Sequence, residues 1–430
     1  MTVSKKRVVI TGMDTINPLG DTLDGYYNNL ISGKSGIKKW ESLDVSNIDC
    51  KIGGDLGHYN FSEALERLRS KVPEELHKKL RKLFRTMTFS NKATTLTAIS
   101  AYHHAGLFNV NVDPYRISVL VGGHNFNSNY VLDNMHQFEE EPAYVDPLFG
   151  VEALDPNIPA TIAEVLLAQG PTYTIGGACA SGNIALRDGF RDIINGECDI
   201  SVVSGGIFDM APCDIHAMAV LNSLVIDPEY LDKPEAASRP FDINRKGFIP
   251  SHGAGTIILE DLEFAKDRGA MIYAEVLGVV ANANANHLPI PSGDVQAHLI
   301  KTLLNITGVH PEEVDYVNCH ATGTPVGDIN EINAIKKAFG KQAYKLKLNA
   351  PKSMLGHVCW SAPIVESIGG ILQMQRGKLH PSINIEKLDP EIDLDVCKDG
   401  PVNHRISVML KNSFGFGGLN SCALIKRFEE

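Results

Sequence analysis

The stretch "YTIGGACASGNIALRDGF", from Tyr173 to Phe190, sets one cysteine, Cys179, between an apolar run and a helical pattern. Small residues surround it: Gly176, Gly177, Ala178, Ala180, Ser181 and Gly182. Beyond it, Leu186, Phe190, Ile193 and Ile194 recur at the spacing of one helix face, and Asn195–Gly196 supplies a stop. The reading is a strand, a tight turn bearing a thiol, and a helix. At a helix's first turn a cysteine meets the positive end of the dipole and unpaired N–H groups, which favour the nucleophilic thiolate. Small neighbours let an electrophile approach and let backbone amides point at an oxyanion. A buried, inert cysteine is the alternative reading of the same residues.

The pattern continues outward in both directions. "RVVIT" (Arg7–Thr11), "ISVLVGG" (Ile117–Gly123) and "ISVVSGG" (Ile200–Gly206) are short β-branched runs ending at or near glycine, the mark of strands buried on both faces. A second set follows: "MIYAEVLGVVA" (Met271–Ala281), "VDYVNCHA" (Val314–Ala321), "KLKLNA" (Lys345–Ala350) and "RISVMLKNS" (Arg405–Ser413). Between two of these, Ile329, Ile332, Ile335 and Phe339 form a helical stripe that stops at Gly340. Strands alternating with helices indicate an α/β fold. No low-complexity linker divides the sets, so two similar halves, 1–265 and 266–430, are expected to share one core, without a clear residue-level repeat.

Composition narrows the function. The 430 residues carry a net charge of −11, with 43% hydrophobic and 21% charged residues, a globular profile that disfavours general nucleic-acid binding. No apolar stretch reaches the length of a signal core or membrane span, so a cytoplasmic protein is expected. Besides Cys179 there are Cys50, Cys198, Cys213, Cys319, Cys359, Cys397 and Cys422, without a C-x-x-C pair. This spacing suggests neither zinc nor a disulfide framework, and these seven read as free thiols acting as small hydrophobes.

Three further places carry chemistry. His320 in "NCHATGTPVGDINE" ends a strand and opens a loop of Thr322, Gly323, Thr324 and Gly327. Lys352 and His357 in "APKSMLGHVCW" follow another strand. "NSFGFGGLNS" sets Phe414 and Phe416 among glycines between two apolar runs. Taken singly, each has a bland reading: a hydrogen-bonded core histidine, or a hairpin turn. Taken with Cys179, at strand ends in a chain without a metal or phosphate motif, they point to one site at the carboxyl edges of a sheet.

Together these motifs resemble those of the β-ketoacyl-acyl carrier protein synthases, the condensing enzymes of fatty acid and polyketide synthesis. The resemblance rests on "ACASG", "H-x-T-x-T-x-x-G-D-x-x-E", "K-S-M-x-G-H" and "N-S-F-G-F-G-G-x-N", with "VVITGMDTINPLG" and "ASRPFDINRKGF" in support. It spans essentially the whole chain. It implies a thiolase fold with five layers, α-β-α-β-α, and a homodimer or a heterodimer with a related subunit. It implies that Cys179 accepts an acyl group from a phosphopantetheine thioester, whose oxyanion meets the N–H groups of Cys179 and Phe416. It implies that His320 and His357 stabilise the enolate left when malonyl-acyl carrier protein loses CO₂, with Lys352, held by Glu331, placing a charge near His357. Thr322 and Thr324 are expected to bind the pantetheine arm, and no metal or organic cofactor is called for.

Departures from the family pattern bear on the substrate. Where the family usually has a run like "LLGAAGAVE", this chain has "VCWSAPIVE", with Trp360 and Pro363 in place of small residues. Ser251–His252 replaces a glycine–acid pair, and Gly176–Gly177 replaces bulkier residues. Trp360, like Phe414, is expected to wall the substrate pocket, and the set points to a stand-alone polyketide-pathway ketosynthase. Two alternatives stand beside condensation: a ketosynthase-like malonyl-acyl carrier protein decarboxylase, and a non-catalytic partner subunit like a chain-length factor. Relatives of both kinds typically lose the nucleophile, which this chain retains. Finally, Lys78, Arg81, Lys82 and Arg85 in "HKKLRKLFR" fall on one helix face and suit docking of an acidic carrier protein, although a basic run is commonly just a solvated face.

Overall fold

The computed structural model describes residues 6–429. Its ten principal strands are β1 (Val8–Ile16), β2 (Ile117–Gly122), β3 (Thr172–Ile175), β4 (Ile200–Gly205), β5 (Ala254–Asp261), β6 (Ala274–Ala283), β7 (Tyr316–Asn318), β8 (Lys347–Asn349), β9 (Val408–Gly415) and β10 (Leu419–Arg427). The helices that frame the site are α1 (Glu74–Leu83), α2 (Phe89–His104), α3 (Asn157–Leu166), α4 (Ser181–Ile194), α5 (Gly293–Thr307), α6 (Pro325–Phe339) and α7 (Ala362–Arg376).

The first five strands lie in the order β3-β2-β4-β5-β1 and the last five in the order β8-β7-β9-β10-β6. In each set the first three are parallel and the last two antiparallel to their neighbours. The two halves therefore repeat one topology, although their residues show no repeat. They join where Val8–Ile10 of β1 pairs with Ala274–Val276 of β6.

Every residue of β2, β4 and β5 is buried, as the β-branched-rich runs of β2 and β4 lead one to expect. Helices α2 and α3 cover the outer face of the first sheet. Helices α5 and α6 cover the second, where Ile332, Ile335 and Phe339 of the stripe are buried. Between the sheets lie α4 and α7, both touching strands of either half. This is the five-layered α-β-α-β-α arrangement.

The two central helices are entered by matching corners. Ala178 (φ +47°) precedes α4 and Cys359 (φ +48°) precedes α7, each opening a three-residue 3₁₀ turn that ends where the helix begins. An alanine or cysteine in the left-handed region costs on the order of 1 kcal/mol and persists only where surrounding contacts fix it. At Ala178 they do: Ser181 Oγ accepts from Gly177 N (2.9 Å) and donates to the Ala178 carbonyl (2.6 Å).

Candidate active site

Cys179 sits in the turn between β3 and α4, buried at 7% exposure. Its small neighbours are explained by close approach. The carbonyl of Ser181 would lie 2.6 Å from any Cβ on Gly122 of β2, so the sheet reaches the turn only through glycine. A Cβ on Gly415 would stand 2.9 Å from the Gly177 carbonyl oxygen and 3.1 Å from Cys179 N. That proximity brings the β9–β10 hairpin against the thiol, and the N–H groups of Phe416 and of Cys179 itself donate toward the sulfur. The glycine-rich loop is thus a hairpin and a wall of the site at once.

Burial pushes the Cys179 thiol up to about 11, against the pull of the Lys352 ammonium and the two N–H groups. This corrects the expectation of a resting thiolate from the helix terminus: desolvation outweighs the favourable dipoles. For this sulfur to act as a nucleophile its proton would have to leave, and imidazoles stand on the same cavity.

His320 follows β7. Glu331, on α6, accepts the N–H of His320 at Oε1 (2.9 Å) and that of Ala321 at Oε2 (2.7 Å), and Oε1 also accepts from Asn412 Nδ2 (2.9 Å). Glu331 therefore fixes the histidine loop and does not hold Lys352, contrary to the sequence expectation. Lys352, at the start of the short helix Lys352–Leu355 after β8, lies with Nζ 2.7 Å from Glu366 Oε1, an ion-pair contact rather than an aligned hydrogen bond. Its Nζ is 3.5 Å from His320 Nδ1, so Nδ1 is the acceptor and Nε2 carries the proton. Lys352 lies beside His320, and its charge also reaches His357.

The rings of His320 and His357 meet edge to face at 5.4 Å. Phe414 packs against His320 at 5.8 Å and Phe248 against His357 at 5.1 Å. Burial, then the nearby positive charge of Lys352, holds both imidazoles well below the ordinary histidine range, so both are neutral. Neutral imidazole can donate from one nitrogen and accept at the other.

Cys179, His320 and His357 open onto one cavity of about 330 Å³, which Thr322, Thr324, Phe414 and Phe416 also line. The Thr322 and Thr324 hydroxyls are 3.2 Å apart. Trp360 is not on this wall. It packs behind the cysteine turn against His124 (4.2 Å) and Phe208 (5.1 Å). A larger cavity of about 630 Å³ holds Asp14, whose carboxyl burial pushes up to about 8, and shares no residue with this site. Among the described residues no cluster of three or more metal-ligating side chains is found.

The basic segment departs from its expected geometry. Arg81 and Lys82 are exposed on the last turn of α1, but Arg85 lies beyond its end at Leu83, and Lys78 is drawn 2.9 Å from both Glu74 and Glu75. Residues that sequence reading did not place are Glu366, Lys411, Asn412 and Gly415. The one signal for Glu366 was its being the sole acid in the run after His357.

Comparison with known proteins agrees with this geometry. The model of the beta-ketoacyl synthase N-terminal domain matches residues 5–265, and that of the C-terminal domain matches residues 273–386. The chain belongs to the beta-ketoacyl synthase family. It is 32% identical to 3-oxoacyl-[acyl-carrier-protein] synthase 2 of Synechocystis, covering 99% of both chains. It is 30% identical to the polyketide biosynthesis malonyl-ACP decarboxylase PksF of Bacillus subtilis, covering 98% of this chain and 97% of that one. Among solved structures, the ishigamide ketosynthase/chain length factor matches at a TM-score of 0.88 and 27% identity, over 99% of this chain and all of the other.

Proposed function

We propose that the protein joins an acyl group held on Cys179 to malonyl-acyl carrier protein by decarboxylative Claisen condensation. The observation that carries this reading is the convergence of a thiol, two neutral imidazoles and two backbone donors on one cavity. The Cys179 thiol gives its proton to the acceptor nitrogen of His357 as sulfur attacks the thioester carbonyl, since His320 Nδ1 faces Lys352 and its Nε2 already carries a proton. The carbon–sulfur bond to pantetheine breaks, and the departing thiolate takes the proton. The N–H groups of Cys179 and Phe416 receive the oxyanion at each tetrahedral stage. Malonyl then loses CO₂, and the electrons of that bond pass into an enolate whose oxygen is met by N–H donors of His320 and His357. Its carbon attacks the Cys179 thioester, and collapse expels the Cys179 thiolate and leaves a 3-oxoacyl chain on the carrier. Phosphopantetheine belongs to the substrates, held by Thr322 and Thr324.

Retention of Cys179 favours condensation over decarboxylation alone, the activity named for the Bacillus relative. The complete set likewise disfavours a non-catalytic partner role. The acidic carrier docks at Arg81, Lys82 and Arg85, with Lys78 released from its glutamates on contact. A dimer, with a second copy or a related subunit, covers the free edge of β3, where Tyr173 is 38% exposed. The test is Cys179→Ala: incubation with an acyl-pantetheine donor and mass spectrometry should show no covalent acylation, while CO₂ release from malonyl thioester persists. Acylation of the variant elsewhere would remove Cys179 from its role.

A further inference from the structure

Lys411 on β9 is a fully buried lysine whose Nζ donates to Glu366 Oε2 (2.6 Å) and to the Asn412 carbonyl (2.7 Å). The other oxygen of Glu366 faces Lys352, 2.7 Å away, and Lys352 reaches His320. A buried lysine is expensive unless paired, and Glu366 alone has two to satisfy. The second carboxylate of the cluster is Glu331, which also acts on Lys411. Two ammonium groups and two carboxylates, all at 1% exposure or less, thus form one closed set from α6, α7, β9 and the Lys352 helix. The neighbouring Cys319 and Cys422 thiols are pushed up by burial and contribute no charge at neutral pH.

We propose that Lys411 is a positioning residue for the two site histidines: its ammonium grips the second oxygen of Glu366 and so fixes the Lys352 cation beside His320. Without it, the freed oxygen draws Lys352 fully onto Glu366 and away from His320 Nδ1, loosening the tautomer that presents Nε2–H to the cavity. Its charge also counts. The groups that face His320 are Lys352, His357 and Lys411, with Glu331 on its backbone, and those that face His357 are Lys352 and Lys411. Both lysines oppose protonation of the imidazoles. Removing one leaves the set with an excess negative charge, so protonation is favoured and the acid limb of any step needing neutral imidazole moves to higher pH.

This inference builds on the condensation reading, and two variants separate its parts. Lys411→Gln keeps a donor toward Glu366 and removes the charge; Lys411→Met removes both. Single-turnover acylation of Cys179 by an acyl-pantetheine donor should show an acid limb moved up by about one pH unit in each variant, the usual scale for one nearby charge. CO₂ release from malonyl thioester, the step that uses the His320 Nε2–H, should at its plateau be about tenfold slower in Lys411→Met and less so in Lys411→Gln, because a sub-ångström shift of Lys352 costs a fraction of what full misplacement does. NMR of the resting enzyme with labelled histidine reads the same upward shift in the two imidazoles without turnover. Unchanged histidine titration in Lys411→Gln overturns the proposal, whatever its rate, and that variant decides should Lys411→Met fail to fold. If the wild-type enzyme takes no acyl group, the condensation reading falls, while the NMR titration still judges Lys411.

Discussion

Gly415→Ala tests whether the hairpin and the cysteine turn act as one device. The backbone there (φ −112°, ψ 158°) suits any residue, so only space is at issue. The added methyl would stand 2.9 Å from the Gly177 oxygen, 3.1 Å from Ala178 Cβ and 3.1 Å from Cys179 N. Each contact is roughly 0.3–0.6 Å short of ordinary van der Waals separation. All three neighbours are backbone or Cβ atoms of one turn, so no side chain can swing aside. The hairpin must retreat by about half an ångström, at a cost of about 1–3 kcal/mol in stability, the range for overpacked interiors. The Phe416 N–H retreats with it, away from the oxyanion. Full loss of one such donor costs on the order of 10²–10³ in rate, and a partial retreat about tenfold. The assay is rapid-quench mass spectrometry of Cys179 acylation, run beside CO₂ release from malonyl thioester. Acylation should slow about tenfold while CO₂ release, which the proposed mechanism assigns to the histidines, changes less than twofold. Equal loss of both activities, or acylation at the wild-type rate, would refute the reasoning.

His357→Ala should slow CO₂ release by on the order of 10²-fold, the cost of one lost donor at a developing oxyanion, and release at the wild-type rate would remove that role. Because burial holds the Cys179 thiol up near 11, alkylation by iodoacetamide should be slow at pH 7 and climb with pH toward that value, as the thiolate fraction grows. A rate already level at pH 7 would show a resting thiolate instead. Charge reversal at Arg81 and Lys82 should raise KM for a carrier-bound substrate, more at low salt, and leave turnover of a small pantetheine mimic unchanged. Equal loss with both substrates would assign the segment to the fold.

Legibility from sequence followed how local the cause was. Doubly buried strands announce themselves as β-branched runs, so β2 and β4 were readable to within a residue of their ends. Cys179, His320 and His357 stood out in the sequence because each sits on a loop cleared of bulk after a strand, although the strand before Cys179 is a partly exposed edge strand, and the structure brings the three onto one cavity. The partner of Lys352 did not stand out. Glu331 and Glu366 both lie on helices near the site, and only the crossing of α7 over the sheet shows which carboxylate meets Nζ. The thiol's protonation was misjudged for a related reason: the dipole belongs to the local turn, but desolvation belongs to the whole packed core. Trp360 followed the cysteine corner inward rather than the cavity, since its backbone continues a 3₁₀ turn that points it at His124 and Phe208. Lys78 shows the limit of reading charge alone: its own helix supplies the acids that occupy it.

The matched corners at Ala178 and Cys359 reach beyond this site. Counting one residue past each corner gives Cys179 in one half and Trp360 in the other. Two separate, identical halves associating by symmetry would have to carry a thiol at both corners or an indole at both. Joined in one polypeptide, the halves are released from that obligation. One corner is free to carry a thiol on the cavity, and the other an indole that packs behind it. Division of labour between twin scaffolds is thus a property of the single polypeptide, and it comes without loss of the geometry the two corners share.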